Sequence, residues 1–229
     1  NHPYLIYTKQ LYIIPKKIEN NKNYNYMIDA KLNNFLRPYL SFLAKIIIKL
    51  NISANIITFL GFFFGLCCFY SIINFYFTGA FLFLVLNRFC DGLDGAVARL
   101  LGPTDIGAFY DITLDFVFYS LFPIAFIFVD IKNAYAICFL LLSFVSTQTT
   151  FLVSAWIIEK NKILVSTKQK KSFFYIGGIT EGFETIICFI LMLLFYESVE
   201  LIAYIFGTLC WITSISRLIF IKKLLRSYS

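Results

Sequence analysis

Six long apolar runs, most of them parted by only a few residues, dominate this 229-residue chain. They occupy 54–73, 79–101, 105–129, 134–158, 173–195 and 199–221. A helix needs about 20 mostly apolar residues to cross a bilayer. In lipid the backbone polar groups have to be satisfied within the segment, so such runs become helices. Composition agrees: 59% of the residues are hydrophobic and 14% charged, against roughly 25% charged in a soluble domain. The expected fold is all-α, a polytopic membrane protein with six transmembrane helices. Upstream, 28–50 mixes Leu, Phe and Ile with Lys31, Arg37, Lys45 and Lys49. That pattern predicts a cytoplasmic juxtamembrane amphipathic helix, kinked or divided at Pro38.

Residues 28–226 read as one membrane domain, with no internal repeat and no linker. Residues 1–27 read as an N-terminal extension, poorly ordered or at the surface. The extension is rich in Asn, Lys and Tyr, and it lacks the apolar core and small-residue cleavage site of a signal peptide. Glycines including Gly61, Gly65, Gly95, Gly107, Gly177, Gly178, Gly182 and Gly207 lie in or at the ends of the spans, where small residues let membrane helices approach closely.

The net charge of +7 is confined to polar segments between the runs, which points to membrane orientation and away from nucleic acid. Residues 1–53 carry eight Lys and Arg, whereas 74–78 has none. Arg99 precedes the 102–104 turn, and Lys132 stands beside Asp130 in the 130–133 turn. The 159–172 loop carries Lys160, Lys162, Lys168, Lys170 and Lys171; the 196–198 turn carries Glu197; the C-terminal end carries Lys222, Lys223 and Arg226. Basic and base-poor connections alternate, so both termini are expected in the cytoplasm, at the inner membrane if the protein is bacterial.

Six cysteines (Cys67, Cys68, Cys90, Cys138, Cys188 and Cys210) all fall in apolar runs without the spacing of a zinc site. They read as small buried hydrophobes. The lone histidine, His2, leaves little room for imidazole chemistry.

Four aspartates stand out against this background. Asp91 and Asp94 are three apart on the second run; Asp111 and Asp115 are four apart on the third. Each pair therefore shares a helix face, a few turns from the expected cytoplasmic turn. Carboxylates inside a membrane are costly. They either share protons or are neutralised by cations. All-oxygen ligands favour Mg²⁺, Mn²⁺ or Ca²⁺ over zinc, and two such ions about 3.5–4 Å apart can clamp a phosphoryl group undergoing displacement. Gly95 and Ala98 remove bulk from the same stretch, Gly107 opens the third run before Asp111, and Arg99 offers a planar fork for phosphate oxygens.

The run Asp91-x2-Asp94-Gly95-x2-Ala98-Arg99-x7-Gly107-x3-Asp111-x3-Asp115 fixes eight positions over 25 residues. It resembles the signature of the CDP-alcohol phosphatidyltransferase family, which allows seven or eight residues between the arginine and the second glycine. The family also has six spans, so the resemblance covers 28–226. It implies two Mg²⁺ or Mn²⁺ ions, with Asp91 and Asp111 bridging both, Asp94 completing the first site and Asp115 the second. It implies that Asp115 is also the base toward the acceptor hydroxyl, and that Gly95, Ala98, Arg99 and Gly107 hold the CDP moiety, with Thr104 touching the donor. Asn55-Ile56-Ile57-Thr58 with Gly61 resembles the family's cytidine-pocket element, although Ala54 stands where that element has proline. The implied partners are CDP-diacylglycerol or another CDP-alcohol, an alcohol acceptor, membrane lipids and a second copy in a homodimer.

Other ionisable residues in apolar surroundings are Arg88, Glu181, Glu184 and Arg217. Intramembrane charges are functional candidates by default. These four are assigned to the acceptor, with pairing to an acidic residue as the competing reading of Arg88, one turn before Asp91, and a structural Glu–Arg pair as that of the last three. The expected function is transfer of a phosphoalcohol group, most often phosphatidyl, from the CDP donor to an alcohol with release of CMP, in phospholipid biosynthesis. The alternative is a cation-coupled transporter using the aspartates as its ion site. It leaves Arg99 unexplained, and the chain lacks the internal repeat common in transporters.

Overall fold

A computed structural model describes residues 28–161 and 180–226, with side chains from residue 37 onward. The predicted extension 1–27, Lys162, Lys168, Lys170, Lys171, Gly177, Gly178 and the start of the 173–195 run lie outside the described residues. Every regular element among them is helical. In chain order these are α1 (Ile28–Lys49), α2 (Ala54–Ile73), α3 (Phe77–Leu101), α4 (Asp105–Val129), α5 (Ala134–Lys160), α6 (Gly182–Leu194) and α7 (Val199–Arg226). Short 3₁₀ turns at Ile131–Asn133 and Tyr196–Ser198 precede α5 and α7.

Ala54–Ile73, Asp105–Val129, Ile131–Lys160 and Tyr196–Arg226 are long and apolar enough to cross a membrane. Six such helices were expected. The difference has two causes. Helix α3 has 25 residues, but Arg88, Asp91, Asp94 and Arg99 lower its apolar character. Helix α6 has 13 described residues, about 20 Å at 1.5 Å per residue, short of a hydrocarbon core of about 30 Å.

Pro38 lies inside α1, which runs unbroken from Ile28 to Lys49. The expected division is absent: one missing N–H and one steric clash are outweighed by the rest of the helix and its packing. Helix α1 then stops in a Schellman turn. The Ile52 N–H reaches the Ile47 carbonyl at 3.3 Å and the Asn51 N–H the Ile48 carbonyl at 3.0 Å, with Asn51 left-handed at φ 58°, a conformation asparagine tolerates.

The chain forms two compact units. The first comprises the described residues through Ser71 together with Thr78–Tyr119. Ala44 of α1, Ile57 of α2 and Cys90, Leu93, Ala96 and Val97 of α3 form its apolar core. Two glycines let α2 approach its neighbours. A β-carbon on Gly61 would meet Cys90 Cβ at 2.9 Å, and one on Gly65 would meet Phe118 Cδ2 at 2.6 Å. The turn into α4 is built from three residues. Gly102 ends α3 with φ 98° and its N–H on the Ala98 carbonyl at 2.9 Å. Pro103 follows, and the Thr104 hydroxyl accepts from the Gly107 N–H at 3.1 Å, capping α4. This turn sets the aspartates of α3 beside those of α4.

The second unit comprises Ile72–Phe77 and the residues from Ser120 onward. Helices α5 and α7 pack along one another, with Gly207 against Phe139 and the Leu140 backbone. Phe122 stacks on Phe189 at 4.0 Å between ring centroids. Cys68, Cys90, Cys188 and Cys210 are buried as expected, whereas Cys67 is half-buried and Cys138 exposed.

Candidate active site

The four aspartates converge within the first unit, but not as one symmetric group. Carboxylate oxygens of Asp91, Asp94 and Asp111 all lie within 4.8 Å of one another. Asp94 is buried at 4% exposure, while the Asp91 side chain keeps 42% of its surface open. Asp115 is held separately: its Oδ1 takes a 2.6 Å bond from Arg88 Nη2.

Each carboxylate has a distinct environment. Thr58 Oγ1 on α2 lies 2.6 Å from Asp94 Oδ2 and 3.1 Å from the Ala54 carbonyl. A hydroxyl has one proton, and the shorter contact, to the carboxylate, is the stronger place for it. Arg88 Nη1 stands 3.6 Å from Asp91 Oδ2 and donates to Tyr119 Oη at 3.1 Å. Its Nε donates to Asn87 Oδ1 at 2.7 Å, and Asn87 Nδ2 donates to the Gly61 carbonyl at 2.8 Å. The guanidinium also lies 5.2 Å from the Phe118 ring centroid and 5.3 Å from that of Tyr119, within cation–π range.

A cavity opens among these groups, lined by the four aspartates, Thr58, Asn87 and Arg88, with apolar walls from Phe62, Leu114 and Phe118. Its water-accessible space is about 20 Å³, the scale of a water or a bare ion. Three converging carboxylates, all-oxygen ligands, suit a hard divalent cation such as Mg²⁺ or Mn²⁺.

Of the residues expected at the donor, Thr58 joins the cavity as a partner of Asp94. Gly95 is buried and Ala98 half-buried on α3, and Arg99 is exposed in its last turn. None of the three lines the cavity. Thr104 is occupied as the cap of α4. A β-carbon on Gly107 would stand 3.0 Å from the Thr104 hydroxyl and 3.2 Å from Asn55 Oδ1, so Asn55, Thr104 and Gly107 are neighbours.

Of the residues expected at the acceptor, Arg88 belongs to the aspartate cavity. The others lie in the second unit. Glu181 and Glu184 form a capping box at the start of α6, the Glu181 N–H donating to Glu184 Oε2 at 3.0 Å. Arg217 is buried and donates to the Thr147 carbonyl at 3.0 Å, its guanidinium 5.5 Å from the Phe151 ring centroid. All three thus make bonds within the second unit.

Asn87 and Tyr119 were missed by sequence reasoning. Signals existed: Asn87 is a polar residue inside an apolar run, and Tyr119 follows Asp115 by one helical turn.

The family model for CDP-alcohol phosphatidyltransferase matches residues 51–216, a range that includes all four aspartates, Arg88 and Thr58. The inner membrane protein YnjF of Escherichia coli (strain K12) is 39% identical over 192 residues, covering 83% of this chain and 93% of that protein. No solved structure matches. The four apolar helices and this relative mark the chain as an integral membrane protein. The extent of the match, together with the aspartate signature gathered around one cavity, establishes that the chain belongs to the CDP-alcohol phosphatidyltransferase family.

Proposed function

We propose that the chain transfers a phosphoalcohol group, most often phosphatidyl, from a CDP-activated donor such as CDP-diacylglycerol to an alcohol acceptor, and releases CMP. The observation that carries this reading is the convergence of Asp91, Asp94 and Asp111 within 4.8 Å, with Asp115 on the same cavity. Asp91, Asp94 and Asp111 would hold Mg²⁺ or Mn²⁺, two ions by family resemblance, which also lends Asp115 to the second. Bound, these ions supply electrostatic stabilisation for the donor's diphosphate. Thr58 fixes the rotamer of Asp94 through its hydroxyl bond.

The acceptor oxygen forms a bond to the β-phosphorus of the donor. The bond from that phosphorus to the bridging oxygen breaks, and CMP leaves with the electron pair. Asp115 takes the acceptor's proton as the new bond forms. Arg99, exposed at the end of α3, faces the donor's phosphates from outside the cavity, with Gly95 and Ala98 assigned to the CDP moiety by family resemblance. Asn55, Thr104 and Gly107 border the nucleotide. Glu181, Glu184 and Arg217 belong to the acceptor side by the sequence pattern.

The protein functions in phospholipid biosynthesis as a homodimer with six spans, α3 and the 173–195 segment completing the set. Its termini and catalytic face are cytoplasmic, as the basic connections require. The test is to incubate purified protein, Mg²⁺ or Mn²⁺ and CDP-diacylglycerol with a panel of alcohols and measure CMP. Release that depends on one acceptor supports the reading; no release with any acceptor or CDP-alcohol donor refutes it.

A further inference from the structure

Helix α1 presents three different sides along its C-terminal half. At about 100° per residue, Leu40, Leu43, Ala44 and Ile47 fall on one side, and these pack into the core of the first unit. Tyr39, Phe42 and Ile46 fall on the next side and are exposed at 61%, 65% and 44%. Lys45 and Lys49 fall on the side beyond that, both exposed. From Arg37 to Lys49 the helix carries no acidic residue, and among the described residues none of its basic side chains is in an ion pair. Arg37 is exposed as well, but it falls on the opposite flank, beyond Ala44.

What covers the apolar side follows from where α1 is tethered. It stops at Lys49, and residues 50–53 connect it to α2, one of the helices long and apolar enough to cross a membrane. Such a connection reaches at most about 14 Å, so the C-terminal half of α1 stays at the bilayer boundary. A helix there buries its apolar side among the upper acyl chains. Lysines on the adjoining side then lie at headgroup depth, their methylenes along the helix and their ammonium groups among the phosphates. The same helix rests on α3 beside the aspartates. A β-carbon on Gly92, the residue after Asp91, would stand 3.2 Å from Leu40 Cδ1.

We infer that the side of α1 formed by Tyr39, Phe42 and Ile46, edged by Lys45 and Lys49, is a docking surface for the anionic phospholipids of the surrounding bilayer. The apolar side seats in the acyl chains, and the two ammonium groups select headgroups with a net negative charge. This contact holds α1 down on α3 and gathers anionic lipid next to the helix that carries Asp91 and Asp94. The inference stands whether or not the proposed transfer takes place, because it concerns the lipid in contact with α1 and not turnover.

The test uses the purified full chain in phosphatidylcholine vesicles. Phe42→Trp supplies a fluorescent reporter, and Trp156→Phe with Trp211→Phe removes the native signals. Brominated phosphatidylglycerol and brominated phosphatidylcholine, at equal mole fraction, quench tryptophan on contact. Phosphatidylglycerol should associate at least about threefold more strongly. Lys45→Gln together with Lys49→Gln should bring the two lipids to within about 1.5-fold of each other, as should salt at about 0.5 M. Arg37→Gln removes the same charge from the opposite flank and should leave the preference intact. Ile46→Trp reports from the same side if Phe42→Trp does not fold, and spin-labelled forms of the two lipids give the comparison on the chain with its native tryptophans if neither does. Equal association of both lipids overturns the inference. So does a preference that survives in the double lysine variant or is lost in Arg37→Gln. Quenching by neither lipid would mean that protein, such as a second copy of the chain, covers this side, and overturns it too.

Discussion

Asp94 and Asp115 differ in what holds them, and substitutions should separate their roles. Asp94 is gripped by a neutral hydroxyl from α2 at 2.6 Å; Asp115 is gripped by a cation from α3 at the same distance. Thr58→Val keeps the side-chain shape and removes that hydroxyl. Loss of an outer partner of a metal ligand lowers metal affinity about 10–100-fold, so Mn²⁺ titration of Thr58→Val should show a drop in that range with the fold intact. Asp115→Asn should lower CMP release by about 10²–10⁴-fold through loss of the proton acceptor. Asp91→Asn should weaken metal binding more than Asp115→Asn does. The aspartates were legible because helical spacing places each pair on one face. The partner of Arg88 was not. Spacing alone suggests Asp91, three residues on, yet the 2.6 Å contact is to Asp115, 27 residues away, and that depends on how α3 and α4 cross.

Helix bounds were more legible than helix character. The runs 54–73 and 105–129 match α2 and α4 to the residue, because polar or breaker residues close each end. Helix α3 was equally visible as an element, but the charges that serve the site weaken it as a span. The interhelical contacts were only partly legible. Gly61 and Gly65 announced close approach, but not that Gly65 seats Phe118 against the Arg88 guanidinium. Phe118 is 1% exposed and has little room to retreat. Gly65→Ala should therefore destabilise the protein by about 1–3 kcal/mol, read from unfolding in SDS, and should slow CMP release by displacing the ring beside Arg88. Gly102→Ala puts a β-carbon on a residue at φ 98° with open space around it. Its cost, about 1 kcal/mol, is one of backbone strain alone.

At the scale of the whole molecule, the alternation of basic and base-poor connections predicts sidedness. In a cysteine-free background, Lys168→Cys should resist a membrane-impermeant thiol reagent applied outside intact cells, and Glu197→Cys should react. Labelling of Lys168→Cys would invert the orientation and move the aspartate cavity to the other face. The family is legible in the amino-acid order alone, because its signature lies within 25 consecutive residues and needs no tertiary information. Acceptor identity has no such local signature: Glu181, Glu184 and Arg217 stand out as intramembrane charges, and their visible bonds are local to their own unit. The central claim is metal-dependent transfer at the aspartate cavity. It is tested most directly by CMP release from CDP-diacylglycerol by the purified protein with the alcohol panel, first with Mn²⁺ or Mg²⁺, then in EDTA, then with the metal restored. The account predicts release, its abolition by chelator and its recovery on adding metal back; full activity in chelator would contradict it.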